Sequence, residues 1–305
     1  MHLIQGIKLK NDQCLICGHS KIRDLFTAKD HGISQENFII SECLNCKFQF
    51  TKNPPVESKI GPYYEATKYI SHTEESPNFI NKLYFYIRDF MFVEKYKIIR
   101  KYNSSNNFLD IGCGLAHFLN FVKSKNNNVT GIEKIESTAN IARSKFQIEI
   151  LPPEFLLENK LKEKYDIITM WHVLEHLYNP KEYINAIKKL FNHESILIIA
   201  VPNQNSTDAI KYSEFWAGYD VPRHLWHFNP INITSWVEQF GFKHLATHRL
   251  PFDAFYVSIL SEKYRGSKFA TLRGMFNGLV SYLKSISNIQ KTSSLIYVFK
   301  LNSNE

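Results

Sequence analysis

Asp110, the turn Gly112-Cys113-Gly114 and Glu133 are the residues of this 305-residue chain whose types and spacing speak most directly of chemistry. Two glycines let the backbone approach a ligand where a Cβ would clash. A helix expected to begin near Leu115 offers unpaired N–H groups behind them. Glu133, nineteen residues beyond Gly114, stands where a carboxylate can accept both hydroxyls of a ribose. The place of the third glycine that a dinucleotide usually wants is taken by His117. Asp110 would oppose a phosphate but suits a cationic, amine-bearing ligand. The set describes a nucleoside pocket; the plainer alternative is a βα turn that uses glycine for its shape.

Four of the five cysteines form a second group, Cys14-x-x-Cys17 and Cys43-x-x-Cys46. Two residues between cysteines let both thiolates point at one ion, and two such turns complete a tetrahedral zinc site. Four thiolates leave no coordination position for water, so the expected role is structural. A disulfide pair is the alternative. The N-terminus lacks the apolar stretch of a secretion signal, so the expected compartment is the cytoplasm, where thiols stay reduced.

The elements that must position these groups follow from hydrophobic periodicity. Residues 108–111 read as a buried strand, followed by a helix with apolar residues at 115, 118, 119 and 122 and a second strand ending on Glu133. Further strands are expected at 147–151, 165–171, 195–201, 243–249 and 294–301, with helices at 137–145, 180–191 and 231–240. Alternating strands and helices imply an α/β fold with a doubly wound, mostly parallel seven-stranded sheet, preceded by a small zinc-binding domain. The expected division is a zinc-ribbon-like domain over 1–60 and a strap with a long helix over 61–105. The main domain then covers 106–305, with a lid at 203–230 and a helical cap at 252–292.

The run LDIGCG with its acid-ended second strand, and WHVLEHL at the end of the fourth strand, resemble motifs of class I S-adenosylmethionine (SAM)-dependent methyltransferases. The likeness extends from about Tyr63 to Phe255, and Trp216–Phe228 resembles the lid between the fifth strand and the following helix. A CxxC…CxxC segment ahead of such a core also resembles zinc-containing sugar C-methyltransferases, from which the sequence departs after the seventh expected strand, so sugar C-methylation is not the leading expectation. The resemblance implies SAM as cofactor, held by Asp110, Gly112, Cys113, Gly114, Glu133, Trp171 and His172. The composition of the strap, with Tyr63, Tyr64, Tyr69 and His72, suits either a segment folded over the cofactor or acceptor or an aromatic strap packed on the next helix. Ala116 stands where such motifs often have a third glycine.

Methyl transfer from a sulfonium is an in-line displacement, so an enzyme gains chiefly by alignment. A hydroxyl acceptor also needs a base, and histidine is the natural one. His172 and His224 are the candidates for catalysis, and His176 is expected to cap the next helix. Asp220, Arg223, His224 and His227 are candidates for binding the acceptor, with Arg223 suited to an anionic group.

A formal charge of +8 allows an anionic partner, and no apolar run approaches a membrane span. Between Glu262 and Glu305 there is no acid, while Phe269, Leu272, Phe276, Leu279, Val280 and Leu283 recur at helical spacing among lysines and arginines. Such a helix either packs on the core as a cap or meets a lipid surface. The leading expectation is methylation, at O or C, of a small molecule or glycoconjugate precursor. An RNA methyltransferase and a non-catalytic SAM- and zinc-binding module are the alternatives.

Overall fold

The computed structural model of the chain describes residues 13–64 and 79–302. The chain opens with an antiparallel meander, β1 (Ile22–Lys29), β2 (Asn37–Cys43) and β3 (Gln49–Thr51). The long helix α1 (Phe79–Arg100) leads into β4 (Asn107–Ile111), α2 (His117–Lys123), β5 (Asn128–Ile132), α3 (Glu136–Phe146), β6 (Glu149–Leu151) and α4 (Pro153–Leu157). Next come β7 (Tyr165–Trp171), α5 (Pro180–Lys189), β8 (Phe191–Pro202), α6 (Thr207–Tyr212) and β9 (Trp226–His227). The chain continues through α7 (Pro230–Glu238), β10 (Phe242–Leu250), α8 (Asp253–Tyr264), α9 (Ala270–Ser287) and β11 (Ser294–Leu301).

Seven strands form the main sheet in the order β10-β11-β8-β7-β4-β5-β6. β6, β5, β4, β7 and β8 run parallel, and β11 is antiparallel to both its neighbours. This is the mostly parallel α/β sheet expected from the alternation of elements. Its strands bury both faces, as the period of two requires. Leu109, Ile168 and Leu197 join α5 and α7 in one core, while Phe108, Ile167 and Ile198 face α1 and α2 in another. Strand order reverses at β4, between β5 and β7, and the carboxyl ends of β4 and β7 therefore border a crevice.

Two local details differ from the periodicity. The helix after the glycine turn begins at His117, not near Leu115, because Ala116 sits in the left-handed region at φ +57°. Strand β8 starts at Phe191, so α5 ends earlier than its pattern suggested.

The meander does not close on itself. Its fourth strand is β9, giving the order β1-β2-β3-β9, with Phe50 opposite Trp226 and Gln49 opposite His227. Cys14, Ile16, Cys43 and Phe48 pack in the same core as Phe228, Trp236 and the sheet residues Leu295 and Tyr297. The N-terminal sheet is thus fastened to β9 and to the core of the main sheet.

Candidate active site

The cofactor end of the crevice is built by β4, its turn and β5. Gly112 has φ +71°, and a Cβ there would lie 2.4 Å from the Val173 side chain, so only glycine lets the β7 loop close over the turn. Gly114, at φ +56°, faces open space. Its N–H donates to Glu133 Oε2 at 2.9 Å, and the Ile135 N–H donates to Oε1 at 2.8 Å. The carboxylate is therefore fixed in orientation, with lone pairs left for a diol. Cys113 turns its thiol inward toward Gly131, away from solvent.

Asp110 is buried and accepts a 2.6 Å hydrogen bond from Thr169 Oγ1. Burial raises its pKa to about 7. Its countercharge is Lys95, a residue that periodicity overlooked because it lies within the helical pattern of α1. The Lys95 ammonium sits 4.2 Å from the centre of the Trp171 ring and interacts with Asp110 and Asp253. A lysine interrupting the apolar face formed by Met91, Ile98 and Ile99 is the signal that could have found it. The charge of Asp110 is thus felt by an ammonium that lies over the Trp171 ring.

The candidate acceptor end is a cluster of imidazoles and carboxylates just past β7. His172, at φ +56°, makes contacts of 3.3 Å from Nδ1 to Glu175 and 3.2 Å from Nε2 to Asp253. Burial alone would push its pKa down, but these two hydrogen bonds and charges outweigh it and hold the pKa at about 9. His172 is consequently protonated at neutral pH and cannot accept a proton, which corrects the expectation that it is the base. Asp253, the first residue of α8, was not anticipated; an acid in a first helical turn reads as a dipole partner rather than a site residue.

His224 is better arranged. Its Nδ1 lies 2.9 Å from the Gly218 carbonyl, which can only accept, so Nδ1 carries a hydrogen and donates it. Glu175 and Asp220 lie 4.0 Å and 3.9 Å from Nε2. The other oxygen of Glu175, Oε2, is buried with no protein partner among the described residues. His176 stacks edge-on against His224 with ring centroids 4.6 Å apart. Burial, and then the neighbouring His224, lower its pKa to about 4, so it stays neutral. Donor atoms of Glu175, His176 and His224 all lie within 4.8 Å of one another. Tyr64 joins this group through its hydroxyl, 3.0 Å from His176 Nδ1, and so lies at the acceptor end. Tyr69 and His72 lie outside the described residues.

Two expected acceptor ligands are otherwise engaged. Arg223 donates from Nε to Asp220 at 2.8 Å, pairs with it again through Nη2, and donates from Nη1 to the Tyr63 carbonyl at 2.9 Å. With its side chain only 9% exposed and Asp30 3.5 Å away, the guanidinium staples the loop and has little left for an anion. His227 is buried in β9, 3.1 Å from Thr51 Oγ1 and edge-on to the Tyr219 ring. Burial holds its pKa well below the ordinary value. Asp220 thus serves Arg223 and His224 together.

The four cysteines converge as their spacing suggested. Cys14 and Cys46 sulfurs are 3.5 Å apart, and Cys17 and Cys43 sulfurs 3.6 Å, with all four within 4.8 Å. These separations exceed a disulfide bond of about 2 Å and approach the edge of a tetrahedron with ~2.3 Å zinc–sulfur bonds. Gly18 and Lys47, both at positive φ, close the two turns by donating to the carbonyls of Cys14 and Cys43. The cluster could bind zinc. Separate hydrogen bonds tie neighbouring parts together: Asn232 donates to the Cys46 carbonyl, Thr51 Oγ1 donates to the His224 carbonyl at 2.8 Å, and Leu225 N–H donates to the Glu175 carbonyl at 2.8 Å.

Comparisons with known proteins agree with this geometry. Residues 83–247 match the family model described as a methyltransferase domain. A ubiquinone biosynthesis O-methyltransferase of Glaesserella parasuis is 32% identical over 108 residues, covering 32% of this chain and 46% of that protein. One of the same name from Hydrogenovibrio crunogenus is 28% identical over 118 residues, covering 36% and 48%. The chain spans about half the length of the curated relatives it matches. Among solved structures, magnesium protoporphyrin IX methyltransferase from Synechocystis, with bound S-adenosylhomocysteine (SAH), superposes with a TM-score of 0.52. It is 13% identical, and the superposition covers 81% of this chain and all of that one. That likeness bears on the fold.

Proposed function

Since the chain belongs to the methyltransferase-domain family, we propose that it transfers a methyl group from SAM to a hydroxyl of a small-molecule acceptor. The observation that carries this reading is His224, whose Nδ1 is held by the Gly218 carbonyl while its Nε2 lies about 4 Å from two carboxylates. SAM, when bound, supplies a methyl group on a positively charged sulfur whose departure needs no acid. Glu133 would hold the ribose diol, the open side of Gly114 would admit the cofactor backbone, and Asp110 would take its ammonium. His224 Nε2 would accept the acceptor's proton, and Glu175 and Asp220 flank the nitrogen that would carry it. The unpaired Glu175 Oε2 is available for a second donor on the acceptor. His172, held as a cation by Glu175 and Asp253, fixes the β7 loop as a positioning residue.

The names of the curated relatives favour O-methylation over C-methylation. Calorimetry with SAH, followed by transfer of labelled methyl to hydroxyl-bearing and amine-bearing acceptors, tests the reading. Binding of SAH and turnover confined to hydroxyl acceptors are expected; no affinity for SAH would overturn it.

Zinc held by Cys14, Cys17, Cys43 and Cys46 completes the proposal as a structural ion that fastens the N-terminal sheet to the segment carrying His224. One zinc per chain by elemental analysis is expected. Strong chelation should lower turnover while SAH binding, at the other end of the crevice, survives. Equal loss of both would remove the link between metal and base.

A further inference from the structure

We propose that α9 docks the protein on an anionic phospholipid bilayer, lying in the plane of the headgroups. The helix meets the rest of the molecule through its small residues: Gly274, Gly278, Ser281 and Ser285 are buried. A Cβ at 274 would lie 2.4 Å from Ile259 Cα, and one at 278 would lie 2.7 Å from Phe255 Cα, both in α8. This close approach determines which face is inward. The larger apolar side chains are left outside, with Phe269, Leu272, Phe276 and Leu283 all exposed, Leu272 by 73%. A cap on the core would have buried them, and the structure buries the opposite face.

The charge around this stripe has one sign. Lys263, Arg265, Lys268, Arg273 and Lys284 are exposed, and none is ion-paired among the described residues. A cleft of about 960 Å³ at the α8–α9 corner is lined by Lys211, Arg265, Lys268 and Arg273 beside Phe269 and Leu272. Its one acid, Glu262, is buried and bonded to Ser267 and Asn277. An apolar stripe flanked by unpaired cations matches a surface with anionic headgroups above acyl chains. A second copy of this chain fits poorly, because a two-fold pairing of α9 would set these cations against themselves. No helix among the described residues is long and apolar enough to cross a membrane, so the contact is peripheral. The inference does not depend on the identity of the methyl acceptor.

Flotation with vesicles of phosphatidylcholine alone, or mixed equally with phosphatidylglycerol, tests it. The protein should float with the mixed vesicles and stay behind with the neutral ones. A Leu272→Glu, Phe276→Glu variant should lose roughly tenfold or more of the bound fraction, with SAH affinity and thermal melting unchanged because both side chains face solvent. A Lys268→Glu, Arg273→Glu variant should lose binding in the same assay. Failure of the wild-type chain to float, undiminished flotation of the Leu272/Phe276 variant, or a dimer that this variant dissolves without any vesicle binding would each overturn the proposal.

Discussion

The two ends of the crevice are assembled over different distances along the chain. At the cofactor end, Gly114 and Glu133 are nineteen residues apart and belong to one strand–turn–helix–strand unit. At the acceptor end, Thr51 holds the carbonyl of His224 across 173 residues, and His172 meets Asp253 from another element altogether. The first is a local device that tolerates little variation in the turn, since a Cβ at Gly112 would strike Val173. The second is an agreement among the N-terminal sheet, the β7 loop, β9 and α8. A nucleoside can be held by one rigid unit, whereas an acceptor must be placed relative to it by parts that come from elsewhere.

Four substitutions separate the two ends. The largest effect is expected from His224→Ala, which should lower kcat by about 10²–10⁴ and leave SAH affinity unchanged. A fall in SAH affinity of similar size would merge the two ends into one site. Glu133→Ala should do the reverse, weakening SAH by roughly 100-fold through loss of charge-assisted hydrogen bonds, as read by calorimetry.

His172→Asn sharpens the acceptor end through pH. The His172 pKa is raised to about 9 in the folded protein from an ordinary value of 6.5. Its contribution to stability is therefore complete below pH 6.5 and is lost as pH rises through about 9. The wild-type chain should melt above the variant at pH 6, and the gap should close by pH 10; asparagine also tolerates the positive φ. A gap independent of pH would show that His172 acts through packing alone. The smallest effect is expected from Ala116→Gly, which relieves a left-handed alanine worth about 1 kcal/mol and should raise the melting temperature by a few degrees with catalysis intact.

Much of the cofactor end was legible because glycine, acid and hydrophobic periodicity all report on local geometry. Asp110, Gly112, Gly114 and Glu133 could be named from spacing, and the four cysteines from the pairing of two turns. Arg223 and His227 misled for one reason: a polar residue in a loop looks available until its partners are known. Asp220 and the Tyr63 carbonyl occupy the first, and Thr51 takes the second. Lys95 and Asp253 were overlooked because each lies on a helix whose pattern has an ordinary explanation.

The succession of strands and helices along the chain, the glycine turn and the spacing within each cysteine pair were written in the chain itself, since each depends on residues close in sequence. Protonation of His172, the hydrogen bond made by His224 Nδ1 and the outward face of α9 were decided only on folding. Charge state, hydrogen-bond direction and exposure are properties of neighbours, and here those neighbours come from other elements of the fold.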